Sequence, residues 1–211
     1  MSIEQKDSIY IMISKTQTGF AKMIRLFGRV RYSHAAIALD EGLNDLYAFA
    51  RPQKNGIFIS HLVKENIYRY ALGEENVDVV IFKIPVTLEQ YTWVANTIHS
   101  IAEDPEYKYN LFSVISYPIT RGFHTYKAFS CIEFVMYVLK GIGYSMKKPL
   151  HAYRPDDLLE FFSENIHFEG NLLDYAADEK GPENYYAPLT MDIVKRSFSD
   201  MGSLIARLVV R

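Results

Sequence analysis

Residues 130–140, Ser-Cys-Ile-Glu-Phe-Val-Met-Tyr-Val-Leu-Lys, are the clearest helical stretch of the chain and place the strongest demand on its fold. Cys131, Phe134, Val135, Val138 and Leu139 recur at helical spacing, so they share one face, and that face packs inward. Gly141 and Gly143 stop the helix. Short apolar runs elsewhere supply strands. Residues 9–14 are β-branched and apolar, as in a buried strand, and Val79-Val80-Ile81-Phe82 within 77–85 is the continuous run of a central one. Residues 32–40 and 46–51 flank the turn-like Glu41-Gly42-Leu43-Asn44-Asp45 and predict a hairpin. A further strand is expected over 56–61. Helices are expected over 16–27 with Gly28 as its cap, over 87–102, over 109–117 closed by Pro118, and over 156–163 opened by Pro155. Strands in a meander with segregated helices predict an α+β fold.

The chain of 211 residues, 49% of them hydrophobic, is long enough to bury a core without disulfides or a structural metal. One domain over 1–165 is expected. Residues 166–211 follow as a polar excursion and an amphipathic C-terminal helix, packed on the domain or extending it. A formal net charge of −2 and scattered Lys and Arg give no phosphate-tracking surface, so nucleic acid is not an expected partner. A single cysteine allows no intramolecular disulfide. The first residues are acidic, the apolar run 9–13 is too short for a signal peptide, and no segment reaches the roughly 18 apolar residues of a membrane span, so a cytoplasmic protein is expected.

Ser130 and Glu133 stand in capping-box spacing, which puts Cys131 at the first helical position beside amides with no intrahelical partner. A thiolate there is favoured by the helix dipole, and the Cys131 amide is free to donate to an oxyanion. The competing reading is a small core hydrophobe on the inward face. A thiol nucleophile needs a base, and His34 opens the run Ser-His-Ala-Ala-Ile-Ala-Leu over 33–39. His34, Ala36 and Ala38 alternate onto one strand face, and the two alanines leave room for a helix start. His61, His99, His124, His151 and His167 are expected in structural or exposed roles. None has metal-site spacing, and no metal or organic cofactor is expected.

Tyr-Ser-His-Ala-Ala-Ile-Ala-Leu at 32–39, followed later by Phe-Ser-Cys-Ile-Glu-Phe-Val at 129–135, resembles the circularly permuted NlpC-like, papain-related cysteine amidases of the bacterial YiiX/YaeF type. Lecithin retinol acyltransferase is a distant relative of that group. Glu106-Tyr107-Lys108-Tyr109-Asn110-Leu111 is similar to the family's Tyr-Asn/Asp-Leu segment, and Tyr153-Arg154-Pro155-Asp156-Asp157-Leu158 to its Pro-Asp-Asp-Leu segment. The likeness covers residues 8–163. It implies a permuted papain-like domain over 1–165, an antiparallel sheet with the histidine strand on the cysteine helix, Cys131 as nucleophile, His34 as base and Tyr109 near the substrate pocket. The family usually draws a polar third residue, often glutamate, from the strand after the histidine strand. Residues 46–51, Leu-Tyr-Ala-Phe-Ala-Arg, contain no carboxylate or amide, which leaves a backbone carbonyl, a water, a side chain from elsewhere, or nothing at all.

The resemblance implies hydrolysis of an amide bond in a peptide, amino-acid conjugate or cell-wall fragment through a thioester. A second expectation is a thioesterase or acyltransferase on lipid-like chains. In that case the stripe Ile193, Val194, Phe198, Met201, Ile205 and Leu208, with Lys195, Arg196, Arg207 and Arg211 around it, would lie on a membrane surface. Packing of that helix on the domain is the favoured expectation. A third is a non-catalytic binding module on the same fold.

Overall fold

A strand covered on both faces becomes apolar throughout, and the first strand, β1 (Asp7–Ser14), is buried from Ile9 to Ser14. The computed structural model describes residues 7–16, 19–50, 61–67, 70, 77–175 and 190–209. After β1 come α1 (Gly19–Gly28), β2 (His34–Ala38), β3 (Leu46–Ala50), β4 (His61–Glu65) and β5 (Asp78–Val86). Then follow α2 (Leu88–Glu103), β6 (Lys108–Tyr109), α3 (Leu111–Thr120), β7 (Ala128–Phe129) and α4 (Cys131–Gly141). The described part ends with α5 (Asp157–Phe161), β8 (Ile166–Asn171), α6 (Leu172–Tyr175) and α7 (Met191–Val209). Six strands form one sheet in the order β4-β3-β2-β1-β5-β8, every neighbouring pair antiparallel. The molecule is thus α+β. The expected strand over 56–61 is described only at His61, where β4 begins; the rest lies outside the described residues.

Alternation along the strands builds two cores. Ile9, Ile11 and Ile13 of β1, Ala35 and Ile37 of β2, and Val80, Phe82 and Ile84 of β5 pack with Val94 and Ile98 of α2 and Phe134, Val135 and Val138 of α4. The opposite face carries Tyr10, Met12, Ala36, Ala38, Ala48, Val79 and Ile81, closed by Leu172 of α6. α4 therefore sits on the Ala35/Ile37 face, whereas the small Ala36 and Ala38 had been expected to admit it. His34 reaches the helix start because it is the first residue of β2, where the strand ends rather than passing beneath the helix. The ring of Phe134 is fully buried at 5.4 Å from Phe49 and 6.3 Å from Phe129. Burial of such a side chain contributes about 1.5–3 kcal/mol, which anchors the cysteine helix on the sheet.

Three local expectations are corrected. Pro118 does not close α3, which runs on to Thr120. Proline removes one amide from the ladder, but Thr120 Oγ1 donates to the Ser116 carbonyl at 3.1 Å, and Arg121, left-handed at φ 61°, ends the helix by donating to Tyr117 O. Gly28 is the last residue of α1, and the positive φ beyond it falls on Arg29 at 50°. The polar excursion expected over 166–211 begins as β8, an edge strand on β5 whose His167 and Glu169 pair with Glu41 and Arg31. Residues 176–189 lie outside the described part. In α7, Leu204 is buried, Lys108 Nζ lies 2.7 Å from Asp200, and Arg207 donates to the carbonyls of Glu106 and Tyr126, both at 3.0 Å. Among the expected stripe residues, Ile205 is instead 45% exposed, and the side chains at 193, 194, 198 and 208 lie outside the described part.

Candidate active site

The helix carrying Cys131 starts where the capping box demands. Ser130 Oγ accepts from the Glu133 amide at 3.1 Å, and the Glu133 carboxylate accepts from the Ser130 amide at 3.4 Å. The amides of Cys131 and Ile132, in the first turn, have no helical carbonyl to bond. Parallel pairing of β6 with β7 lays Tyr109 beside Phe129, immediately ahead of the helix. Asp156, from the Pro-Asp-Asp-Leu segment, accepts from the backbone amides of Arg31 and Tyr32 at 2.6 and 2.8 Å, fixing the approach to β2. On the other side of that approach Ser33 donates its amide to Ser14 O at 3.0 Å, and Arg25 Nη1 donates to Ser33 Oγ at 3.1 Å.

Held in this way, His34 comes within electrostatic reach of the Cys131 side chain, which acts to raise its pKa. Its Nε2 also lies 2.9 Å from Oε2 of Glu65, the last residue of β4. The Glu65 side chain is 2% exposed and also accepts from the Tyr70 hydroxyl, while the Tyr70 ring packs 5.7 Å from the imidazole. Burial alone would push the His34 pKa down. The charge of Glu65, the Cys131 side chain and the bond to Glu65 outweigh it and raise the value to about 10. The imidazole is therefore held as the cation at neutral pH. The structure brings together the two residues singled out in the sequence, and the polar third residue is a side chain from elsewhere. Sequence reasoning searched β3 and missed Glu65 and Tyr70. The available signal was a carboxylate closing the short His61-Leu62-Val63-Lys64-Glu65 run, one strand further along the sheet.

Cys131 lies in the wall of a cavity of about 330 Å³. Its lining joins Ile24 and Val30, Tyr109, Val114, Ile115 and Pro118 to the first turn of α4. Tyr109 thus lines the same cavity as the thiol. Among the described residues His151 is the histidine that lines it, and His34 stands behind the wall rather than in the lining. Among the described residues no three His, Cys, Asp or Glu side chains converge as a metal site requires.

Glu133 is the second buried ionisable group at this helix start. Desolvation lifts its pKa to about 7 against hydrogen bonds from the Ser130 amide and Asn110, and His124 Nδ1 lies 3.5 Å from its other oxygen. A carboxyl whose folded pKa exceeds 4.5 binds its proton more tightly in the native state, so stability falls as pH rises from 4.5 to about 7 and is level above. Glu133→Gln keeps the cap and removes that slope. Thermal melts across this range should show the variant gaining on the parent as pH rises, by about 3 kcal/mol at the upper end.

Among the described residues no helix is long and apolar enough to cross a membrane. Comparison of the whole chain with family models, curated proteins and solved structures returns no match, so the resemblance to permuted NlpC-like enzymes rests on the residues quoted above alone.

Proposed function

We propose that this chain is a cysteine acyl hydrolase or acyltransferase with a permuted papain-like arrangement, in which Cys131 is the nucleophile, His34 its proton partner and Glu65 the residue that orients and charges the imidazole. The observation that carries this reading is His34, bonded to Glu65 at 2.9 Å and within electrostatic reach of Cys131, which itself lines an apolar cavity. A protonated imidazole cannot accept the thiol proton. The reactive form is therefore one in which the proton already rests on His34, opposite a thiolate. The thiolate adds to the carbonyl of an amide or ester, and the amides of Cys131 and Ile132 receive the oxyanion. His34 gives its proton to the leaving amine or alcohol as the thioester forms. The neutral imidazole then takes a proton from water, or from an acceptor alcohol or amine, for deacylation.

The cavity lining favours an apolar acyl group over a charged peptide. Among the described residues no Asp or Glu lines it, and Arg154, a cation in the lining, lies 3.5 Å from Asp157. Lipid-type acyl chains thus move ahead of cell-wall fragments as substrates, and the scissile bond is an ester, thioester or amide to such a chain. Acyl thioesters and anilides of graded chain length test the reading. The wild-type protein should turn them over, faster for chains that fill the cavity, and should carry the acyl mass on Cys131. Cys131→Ala should show neither adduct nor turnover, and full turnover in that variant would sink the proposal.

A further inference from the structure

Helices α1 and α3 form the rim of the active-site cavity, and their composition is one-sided. Ile115 and Ile119 both line the cavity, yet they are 53% and 89% exposed, so the apolar surface runs unbroken from the inside of the pocket to its outer lip. On α1, Ile24 and Gly28 line the cavity, and Val30 continues that lining just beyond the helix. Large aliphatic side chains as exposed as Ile115 and Ile119, at the mouth of an apolar cavity, mark a surface that is covered in use. Charge says by what. The two helices hold Lys22 and Arg25 and no carboxylate. Arg29, beside the lining residues Gly28 and Val30, and Arg121, just after α3, are exposed. Among the described residues neither Arg29 nor Arg121 forms an ion pair.

We propose that this rim docks on an anionic phospholipid bilayer, with Ile115 and Ile119 entering the interface and Arg29 and Arg121 meeting the headgroups. The proposal rests on the acyl-transfer reading for its purpose. A chain that leaves the bilayer beneath Ile119 passes into the cavity toward Cys131 without crossing water, so the cost of hydrating it is avoided. The surface is distinct from α7, whose Leu204, Asp200 and Arg207 are engaged with the domain.

Flotation with vesicles of phosphatidylcholine alone and of phosphatidylcholine mixed with phosphatidylglycerol tests this on the full chain. Wild-type protein should float with the mixed vesicles and less with phosphatidylcholine. Ile115→Glu/Ile119→Glu should stay in the soluble fraction, as should the milder Ile115→Ser/Ile119→Ser if the charged pair fails to fold. Arg29→Glu and Arg121→Glu should each weaken partition by about fivefold or more, in a salt-sensitive manner. Cys131→Ala should float like wild type while losing thioester turnover, which separates failure of the surface from failure of the chemistry. The proposal is overturned if wild-type protein floats with neither vesicle. It is equally overturned if both rim variants float unchanged, or if only Ile205→Glu on α7 abolishes flotation.

Discussion

Glu65→Gln should lower the His34 pKa from about 10 and reduce turnover at neutral pH by about 10²–10⁴-fold. Glutamine keeps the shape of the side chain and an oxygen for the Tyr70 hydroxyl and for His34 Nε2–H, but it removes the charge that holds the imidazolium. What remains is desolvation, which lowers the pKa of a buried imidazole, opposed only by Cys131. The Glu65 charge is the largest influence raising the value, so without it the ring sheds its proton at lower pH. A histidine with a raised folded pKa contributes stability that is fully present below its unfolded value of 6.5 and is lost as pH rises through about 10. In Glu65→Gln that alkaline loss of stability should vanish, and the alkaline limb of the pH–rate profile should move to lower pH with it. Nuclear magnetic resonance titration of the His34 ring and the pH dependence of kcat/KM read both effects. A ring that still titrates near 10 in the variant would mean that Glu65 is not the source of the shift.

His34→Ala should be as damaging to turnover, again about 10²–10⁴-fold, since both proton transfers of the proposed cycle pass through this ring. It should also unsettle the fold. Glu65, 2% exposed, would keep a buried charge with its partner gone, a situation that costs about 3–5 kcal/mol. The double variant His34→Ala/Glu65→Gln separates the two consequences. Removing the orphaned charge should restore much of the stability, read by urea unfolding, and none of the turnover. Recovery of turnover in the double variant would show that the loss in His34→Ala came from misfolding rather than chemistry.

Much of this site is legible in local sequence because its parts are local. The capping box of Ser130 and Glu133 sets the register of α4 from four consecutive residues, and the apolar face from Cys131 to Leu139 predicts its burial. The runs at 9–14 and 79–82 announce central strands because a strand covered on both faces cannot alternate. Glu65 was hidden because its role depends on sheet order and twist. It pairs with Leu46 in register, two strands away from His34, and no spacing along the chain encodes that approach. Tyr70 was hidden for the same reason. The seat of α4 on the Ala35/Ile37 face was misjudged because alternation gives two faces and leaves open which one a helix takes. The run through Pro118 was hidden because a proline removes a single ladder bond, and the amide of Arg121 still closes the turn beyond it on Tyr117 O.

The measurement closest to the central claim is the rate of Cys131 alkylation as a function of pH, in the folded wild-type protein and in His34→Ala. A coupled thiol–imidazole pair predicts rapid alkylation at neutral pH in the wild type, and a rate at least about tenfold slower in the variant, where the imidazolium beside the sulfur is gone. Equal rates in the two proteins across the whole pH range would contradict the pairing and leave Cys131 a core residue at the edge of a binding cavity.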